Sequence, residues 1–251
     1  MKIQRLNMDN TWLLEMEGLR ILVDPWLEGE EIDYFSWFNT QWHRTKPISY
    51  ELLPEYDVIL ITQKYPDHFH PQTLLKLQPK KIIAPISIEK RLKALLPQAE
   101  IISMHTQMDE IIINNVEIKW YPTSRKIDPI YDAFMITDKN ESLFLATHGY
   151  FIGKQIIVNK KPLKLLISPF NYFQLPFYLG GTVSPGIEGL QHLTENLHPQ
   201  HIVATHDEDK HAKGLVIKMA KVKRILSTDL THYPIFKNKI LELNHYNPIE
   251  L

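Results

Sequence analysis

Val58-Ile59-Leu60-Ile61-Thr62-Gln63-Lys64-Tyr65-Pro66-Asp67-His68-Phe69-His70 divides at Thr62 into two kinds of sequence. Its first half is apolar and mostly β-branched, has no helical period, and reads as a buried strand. Its second half is a polar turn around Pro66 that carries Gln63, Tyr65, Asp67, His68 and His70. Chemistry is most often found where a rigid strand hands such side chains to a loop.

Upstream, residues 2 to 24 alternate in pieces. The turn signal Glu17-Gly18 predicts a hairpin or meander that ends at Asp24-Pro25, where proline stops the ladder. Residues 28 to 56 are irregular, with acids at Glu28, Glu30, Glu31 and Asp33 and aromatics at Tyr34, Phe35, Trp37, Phe38 and Trp42. So many aromatics predict an ordered excursion packed on the body or roofing a pocket. Downstream, Pro71 opens a helix, residues 81 to 84 form a strand, and residues 87 to 96 form an amphipathic helix with Ser87 as N-cap. Strands follow at 100–103, 109–113 and 116–121, the last two joined by the turn signal Asn114-Asn115. Further strands are expected at 133–137, 142–146, 163–169 and 201–204, with a helix at 187–197. A helix near 210–220 and strands near 222–226 and 238–243 close the chain, which is expected to be a single domain over 1–251.

The formal net charge of -1, from 28 basic and 29 acidic residues, leaves no global field for nucleic acid or an anionic membrane. Cysteine is absent, which excludes disulfides, thiolate nucleophiles and Cys-ligated metals together. Any metal must be held by histidine or oxygen ligands. No apolar run approaches the ~20 residues needed to span a bilayer, and the first residues carry no apolar leader, so a cytoplasmic protein is expected.

Strands end in polar residues at Asp24, at Gln63 to His70, at Thr147-His148 and at Thr205-His206. If these ends share one edge, Asp24, Asp67, His68, His148 and His206 converge, and a His/Asp set is the material of a zinc, iron or manganese site. A plainer reading stands beside this one. Asp24 before proline is equally a turn former, and His70, His211 and His232 read as surface or loop histidines.

Ile61 to His70 resembles the HxHxDH loop of the metallo-β-lactamase superfamily. Ile21 to Leu27 resembles the strand and Asp-Pro turn of its UlaG-like branch, the ascorbate-6-phosphate lactonase-like proteins. Leu143 to Tyr150 resembles the later strand ending in Gly-Asp-Thr-Gly, and Ile202 to His206 the strand that delivers the last histidine. The Thr-Gln, Pro-Asp-His and His-Gly-Tyr pattern is also similar to a cyanobacterial and plant set of such proteins. The resemblance covers most of the chain and implies an α/β (α+β) fold, a four-layer αβ/βα sandwich. Departures are equally plain. Gln63 and Tyr65 stand where the first two loop histidines belong, residues 122 to 125 lack the middle histidine, and Thr147 stands at the bridging aspartate.

The resemblance therefore implies at most one divalent metal, zinc or manganese, on Asp67, His68 and His206 with His148 in place of the lost acid. Asp24 would orient a ligand histidine. Asp67, Tyr65 and Gln63 would act in catalysis, and His70, Thr147 and Thr205 would line the pocket. The activity implied is hydrolysis of a small ester, lactone or phosphoester. A metal-free binding or scaffold protein is the alternative, and a nuclease-type hydrolase ranks last because a basic stripe is lacking. A small molecule is the expected partner, nucleic acid is not, and homo-oligomerisation stays open.

Overall fold

The computed structural model describes residues 1–105, 110–122, 130–150, 161–207, 210–243 and 246–251. In chain order the strands are β1 (Lys2–Arg5), β2 (Trp12–Met16), β3 (Leu19–Val23), β4 (Glu30–Asp33), β5 (Asn39–His43), β6 (Val58–Leu60), β7 (Lys81–Pro85), β8 (Glu100–Met104), β9 (Glu110–Ile113) and β10 (Val116–Tyr121). They continue with β11 (Ala133–Thr137), β12 (Ser142–Leu145), β13 (Leu163–Pro169), β14 (Tyr172–Gln174), β15 (Thr182–Pro185), β16 (His201–Thr205), β17 (Lys210–Lys213), β18 (Lys221–Lys223) and β19 (Ile249–Glu250). The α-helices are α1 (Pro71–Leu77), α2 (Glu89–Leu95), α3 (Ile187–Leu197), α4 (Leu215–Met219) and α5 (Ser227–Leu230). The result is a mixed α/β fold with several sheets and few helices. No helix among the described residues is long and apolar enough to cross a membrane.

The chain divides into two compact units. The first comprises Met1–Asp109, Asp209–Ile217 and Leu243–Leu251. Its large sheet has the order β19-β1-β2-β3-β6-β7-β8, and β17-β5-β4 form a small one. Glu17 and Gly18 both have positive φ, 46° and 74°, as the tight turn between β2 and β3 demands. All of β6 is buried, as expected for a continuous β-branched run in a parallel sheet covered on both faces. Leu22, Ile59, Ile61 and Ile82 pack with Leu74 of α1 and Leu92 of α2. Each such burial contributes roughly 1.5–3 kcal/mol. Because β3, β6 and β7 run parallel, their C-terminal ends lie at one edge.

The second unit comprises Glu110–Glu208 and Lys218–Glu242. Its large sheet has the order β16-β13-β12-β11-β10-β9, and β15-β14-β18 form the small one. Asn114 and Asn115, at φ 49° and 64°, make the turn between β9 and β10 that the sequence signals. Leu190, Leu193 and Leu197 of α3 pack on Leu166 and Ile202. Here β12, β13 and β16 are the parallel neighbours, so their ends also share an edge.

Several sequence expectations need correction. Ser87 does not cap a helix. It lies inside a 3-10 turn, Ile86–Ile88, and α2 starts at Glu89 with no side-chain cap. The stretch expected as a helix near 210–220 is first a strand, because β17 pairs with β5, and only then the short α4. Near 238–243 no strand forms among the described residues; Ile240 makes a single bridge to Ile202. The aromatic excursion is the β4–β5 hairpin, whose tip leaves Tyr34, Phe35 and Trp37 exposed.

Candidate functional site

In the first unit the site begins at Asp24, the residue after β3. Its backbone is left-handed at φ 44°, and its N–H donates to Leu60 O across to β6. That conformation turns the carboxylate back over the end of β6, where it accepts from Thr62 N at 2.7 Å and from Thr62 Oγ1 at 2.5 Å. The same carboxylate lies 2.7 Å from His68 Nδ1. Asp24 and His68 are both fully buried, at 0% exposure, so this bond is shielded from water. A carboxylate can only accept, so Nδ1–H donates to Asp24, and Nε2 is the nitrogen turned away from it. His68 Nε2 stands 3.5 Å from Asp67 Oδ2. Burial alone would lower the His68 imidazole. The charges of Asp67 and Asp24, the hydrogen bond to Asp24 and the charge of Asp9 instead raise it above its ordinary value.

A buried polar turn between β1 and β2 supports this arrangement. Asn7 Oδ1 accepts from Asp9 N and Thr11 N, both at 2.9 Å, while Asn7 Nδ2 donates to Thr11 Oγ1 and to Trp26 O. Thr11 Oγ1 donates to Asp24 O at 2.7 Å and accepts from Trp26 N at 3.1 Å, stitching the Asp24-Pro25-Trp26 turn in place. Asn10 Nδ2 stands 3.0 Å from His68 Nδ1.

The remaining loop residues play varied parts. Tyr65 O accepts from His68 N at 3.0 Å and Phe69 N at 2.7 Å, and this turn sets the direction of His68. Gln63 is buried and Tyr65 is half-buried. His70, expected as a surface or loop histidine, stands at the end of the loop but not on the surface. It is buried and caps α1, with Nδ1 accepting from Thr73 N and Nε2 facing Glu30 O. Burial holds its pKa below the usual value against the opposing hydrogen bond to Glu30 O. His211 is exposed on β17 and stacks on Trp42.

The same unit buries more charge. Lys210 Nζ lies 3.1 Å from Asp9 Oδ1 with both side chains almost fully buried. Glu31, also buried, is pushed well above the ordinary carboxyl range by desolvation and then by the charge of Asp67. Desolvation lowers His43 to about 4, and its Nε2–H donates to Trp26 O at 3.1 Å.

In the second unit His148 and His206 are neighbours, with ring centroids 4.4 Å apart at 50°. Parallel pairing puts them there: β12 ends at Leu145 and β16 at Thr205, with β13 between the two. Gly149, at φ 81° and donating to Ala146 O, turns the chain after His148; a Cβ there would press on Pro185 at 3.0 Å. His206 is itself left-handed at φ 52°, and its carbonyl accepts from Asn171 Nδ2 at 3.2 Å. Asn171 is held in turn by Ile225 N on its Oδ1 and by Ser184 Oγ on its carbonyl. Thr147 and Thr205 are buried beside the two histidines in sequence. Residues 123 to 125, where the resemblance expects the middle histidine, lie outside the described residues.

The structure thus brings Asp24, Asp67 and His68 together in one unit and His148 and His206 together in the other. Sequence reasoning missed Thr62 and Asn171, which hold these side chains, Asn10 beside His68, and the buried set Asp9, Glu31, Lys210 and His43. The polar run Asn7 to Thr11 between two apolar strands was the available signal for the first group.

Comparison with known proteins identifies the family. The family described as "Beta-lactamase superfamily domain" matches residues 6–206, and the chain belongs to that family, a superfamily of metallo-hydrolases. No curated protein matches it. Among solved structures, an isothiocyanate hydrolase from Delia radicum gut bacteria is similar at 17% identity and TM-score 0.70, over 100% of this chain and 99% of that one. Igni18, a metallo hydrolase from Ignicoccus hospitalis, is similar at 15% identity and TM-score 0.69, over 99% and 97% of the two chains. The metallo-beta-lactamase fold protein YhfI from Bacillus subtilis follows at 11% identity and TM-score 0.64, over 99% of both. At these identities the likeness concerns the fold.

Proposed function

We propose that this chain is a metal-dependent hydrolase of a small ester, lactone or phosphoester, working as a single metallo-β-lactamase-like domain over residues 1–251. One divalent metal, zinc or manganese, is assigned to Asp67, His68, His148 and His206. The observation that carries this reading is the grip of the buried Asp24 carboxylate on His68 Nδ1 at 2.7 Å. A histidine held in this way presents Nε2 as a ligand, the usual carboxylate–histidine support of a metal site. One carboxylate and three imidazoles, all buried, are also a donor set suited to zinc or manganese, with no soft ligand required. Such a metal, when bound, lowers the pKa of a bound water toward ~7 and polarises the substrate oxygen.

The chain's own residues divide the remaining work. Asp24 keeps the His68 ring in one orientation and one tautomer. Tyr65 and Gln63, where the family has its first loop histidines, donate hydrogen bonds to the oxyanion that develops on the substrate. Thr147, Thr205 and His70 shape the pocket wall. The loss of those loop ligands fits the UlaG-like branch in a degenerate form, close to the cyanobacterial and plant pattern. A cytoplasmic location fits the absence of cysteine.

Metal analysis of protein purified without chelators tests the reading. About one zinc or manganese per chain is expected, with release of p-nitrophenol from an ester or phosphodiester probe. Asp67→Asn should abolish both while leaving the melting temperature within a few degrees. Protein that takes up no zinc, manganese or iron even when these are supplied would sink the proposal. A metal-free binding module is then the better reading, and Gln63 and Tyr65 at the ligand positions are the observation that favours it.

A further inference from the structure

Between Lys164 and Glu188 the sequence carries no charged residue, yet the middle of that stretch stands in solvent. Phe177 is 94% exposed and Tyr178 76%, on the loop that joins β14 to β15. The loop is held from within. Leu175 N donates to Gly181 O at 2.8 Å, Leu179 N and Gly181 N both donate to Pro176 O, and Gly180 N donates to Phe177 O. Gly180 and Gly181, at φ 108° and 76°, supply the left-handed turn that closes it. Pro176 has no N–H, and the N–H groups of Leu175, Leu179, Gly180 and Gly181 are already spent inside the loop, so few backbone donors still need water. Both rings project from this closed tip.

A basic edge lies beside the tip. In the small sheet β15-β14-β18, β18 is an outer strand, and Lys221, Val222 and Lys223 are all exposed. Lys221 opposes Gln174, the last residue of β14 before the loop. Tyr178 Oη donates to Met219 Sδ at 3.8 Å, so the aromatic tip stands against the residues that lead into β18. From Lys218 to Leu226 the chain has Lys218, Lys221, Lys223 and Arg224, all exposed, and no acid. Among the described residues Lys218, Lys221 and Lys223 make no ion pair. The next acid along the chain, Asp229, turns back to accept from Leu226 N at 2.9 Å. The net charge of -1 over the whole chain therefore hides a local positive surface around an apolar point.

We propose that this surface docks on an anionic lipid bilayer, with Phe177 and Tyr178 entering the boundary between headgroups and acyl chains and Lys218, Lys221 and Lys223 meeting the anionic headgroups. Aromatic rings settle at that boundary, and a tip whose backbone is bonded to itself loses little on leaving water. Each lysine held near an anionic leaflet strengthens binding about fivefold. Other occupants fit less well. A second copy related by a two-fold axis would bring the same lysines face to face with no acid to meet them. Single-stranded nucleic acid stacks on aromatics laid along a groove or sheet, whereas these rings crown an exposed tip beside a sheet edge. Docking of this kind does not depend on the hydrolase reading.

Co-sedimentation of the full chain with vesicles tests the proposal. Wild type should bind vesicles of phosphatidylcholine with about 30% phosphatidylserine roughly tenfold or more tightly than phosphatidylcholine alone, and should lose that preference in high salt. The paired variants Phe177→Ser with Tyr178→Ser, and Lys221→Gln with Lys223→Gln, change only exposed side chains. Both should keep the wild-type melting temperature, and each should weaken binding roughly tenfold or more. Because the chain has no cysteine, Phe177→Cys can carry a single environment-sensitive fluorophore. Its emission should shift to the blue when anionic vesicles are added, while the same label on Ile112→Cys, 65% exposed on the edge strand β9, should not move. No binding to anionic vesicles, an equal shift at both labelled positions, or equal binding by wild type and the serine pair overturns the proposal. A dimer or an oligonucleotide complex that the serine pair abolishes, found in place of vesicle binding, gives the surface to that partner and overturns it too.

Discussion

Replacing Asp24 separates the structural from the chemical role of its carboxylate, because the bonds it makes are individually visible. Asp24→Ala leaves Thr62 N–H and His68 Nδ1–H buried without their acceptor. Removing one partner of a buried pair costs about 3–5 kcal/mol. The left-handed backbone, at φ 44°, adds roughly 1 kcal/mol of strain once alanine stands there. For a protein of this size about 2–4 °C is lost per kcal/mol, so the melting temperature should drop by roughly 10–20 °C. Asp24→Asn is the more telling variant. Asparagine tolerates the left-handed backbone and still accepts from Thr62, but it offers N–H to His68 in place of a carboxylate oxygen. The imidazole must then switch tautomer, placing a proton on Nε2 where a lone pair is needed. Stability should fall by about 1–3 kcal/mol, while zinc affinity, measured by competition with a chromogenic chelator, should fall about 10- to 100-fold. Wild-type zinc affinity in Asp24→Asn, or a loss below 2 °C in Asp24→Ala, would refute the reasoning.

Two further perturbations probe the buried charges of the first unit. His43 is held at about 4 by burial, below its ordinary 6.5. Between these values the unfolded chain binds a proton that the native protein does not, so stability should decline as pH falls from 6.5 to 4 and then level, losing about 3 kcal/mol from this group. Urea midpoints measured across that range in wild type and His43→Gln should differ in slope, and identical slopes would exclude the assignment. Lys210→Met strands the buried Asp9 carboxylate and should cost about 3–5 kcal/mol at neutral pH. Adding Asp9→Asn should restore more than half of that loss in chemical denaturation, and no recovery would show that the pair does not carry it.

What could be read from residues alone follows the range over which each feature is determined. The strand at Val58–Leu60 and the turns Glu17-Gly18 and Asn114-Asn115 are local: a β-branched run prefers a pleated, covered position, and two successive positive φ angles need glycine, asparagine or another tolerant residue. The polar strand ends at Asp24, His68, His148 and His206 were legible for a related reason, since a parallel strand must stop where its loop begins. Their partners were not. Asn171 and Asn10 look like ordinary turn formers until strand order carries them inside. Lys210-His211-Ala212-Lys213 has no apolar alternation, and it becomes a strand only because β5 offers a free edge. Gly214 then approaches so closely that a Cβ would meet Phe38 O at 2.5 Å. Glu31 is the sharpest case. In the run Glu28 to Asp33 it reads as one more solvated acid, and only the register of β4 against β5 turns it inward. Local chemistry therefore marked where the strand-end groups lie, while non-local pairing determined which acid of that run would stand buried.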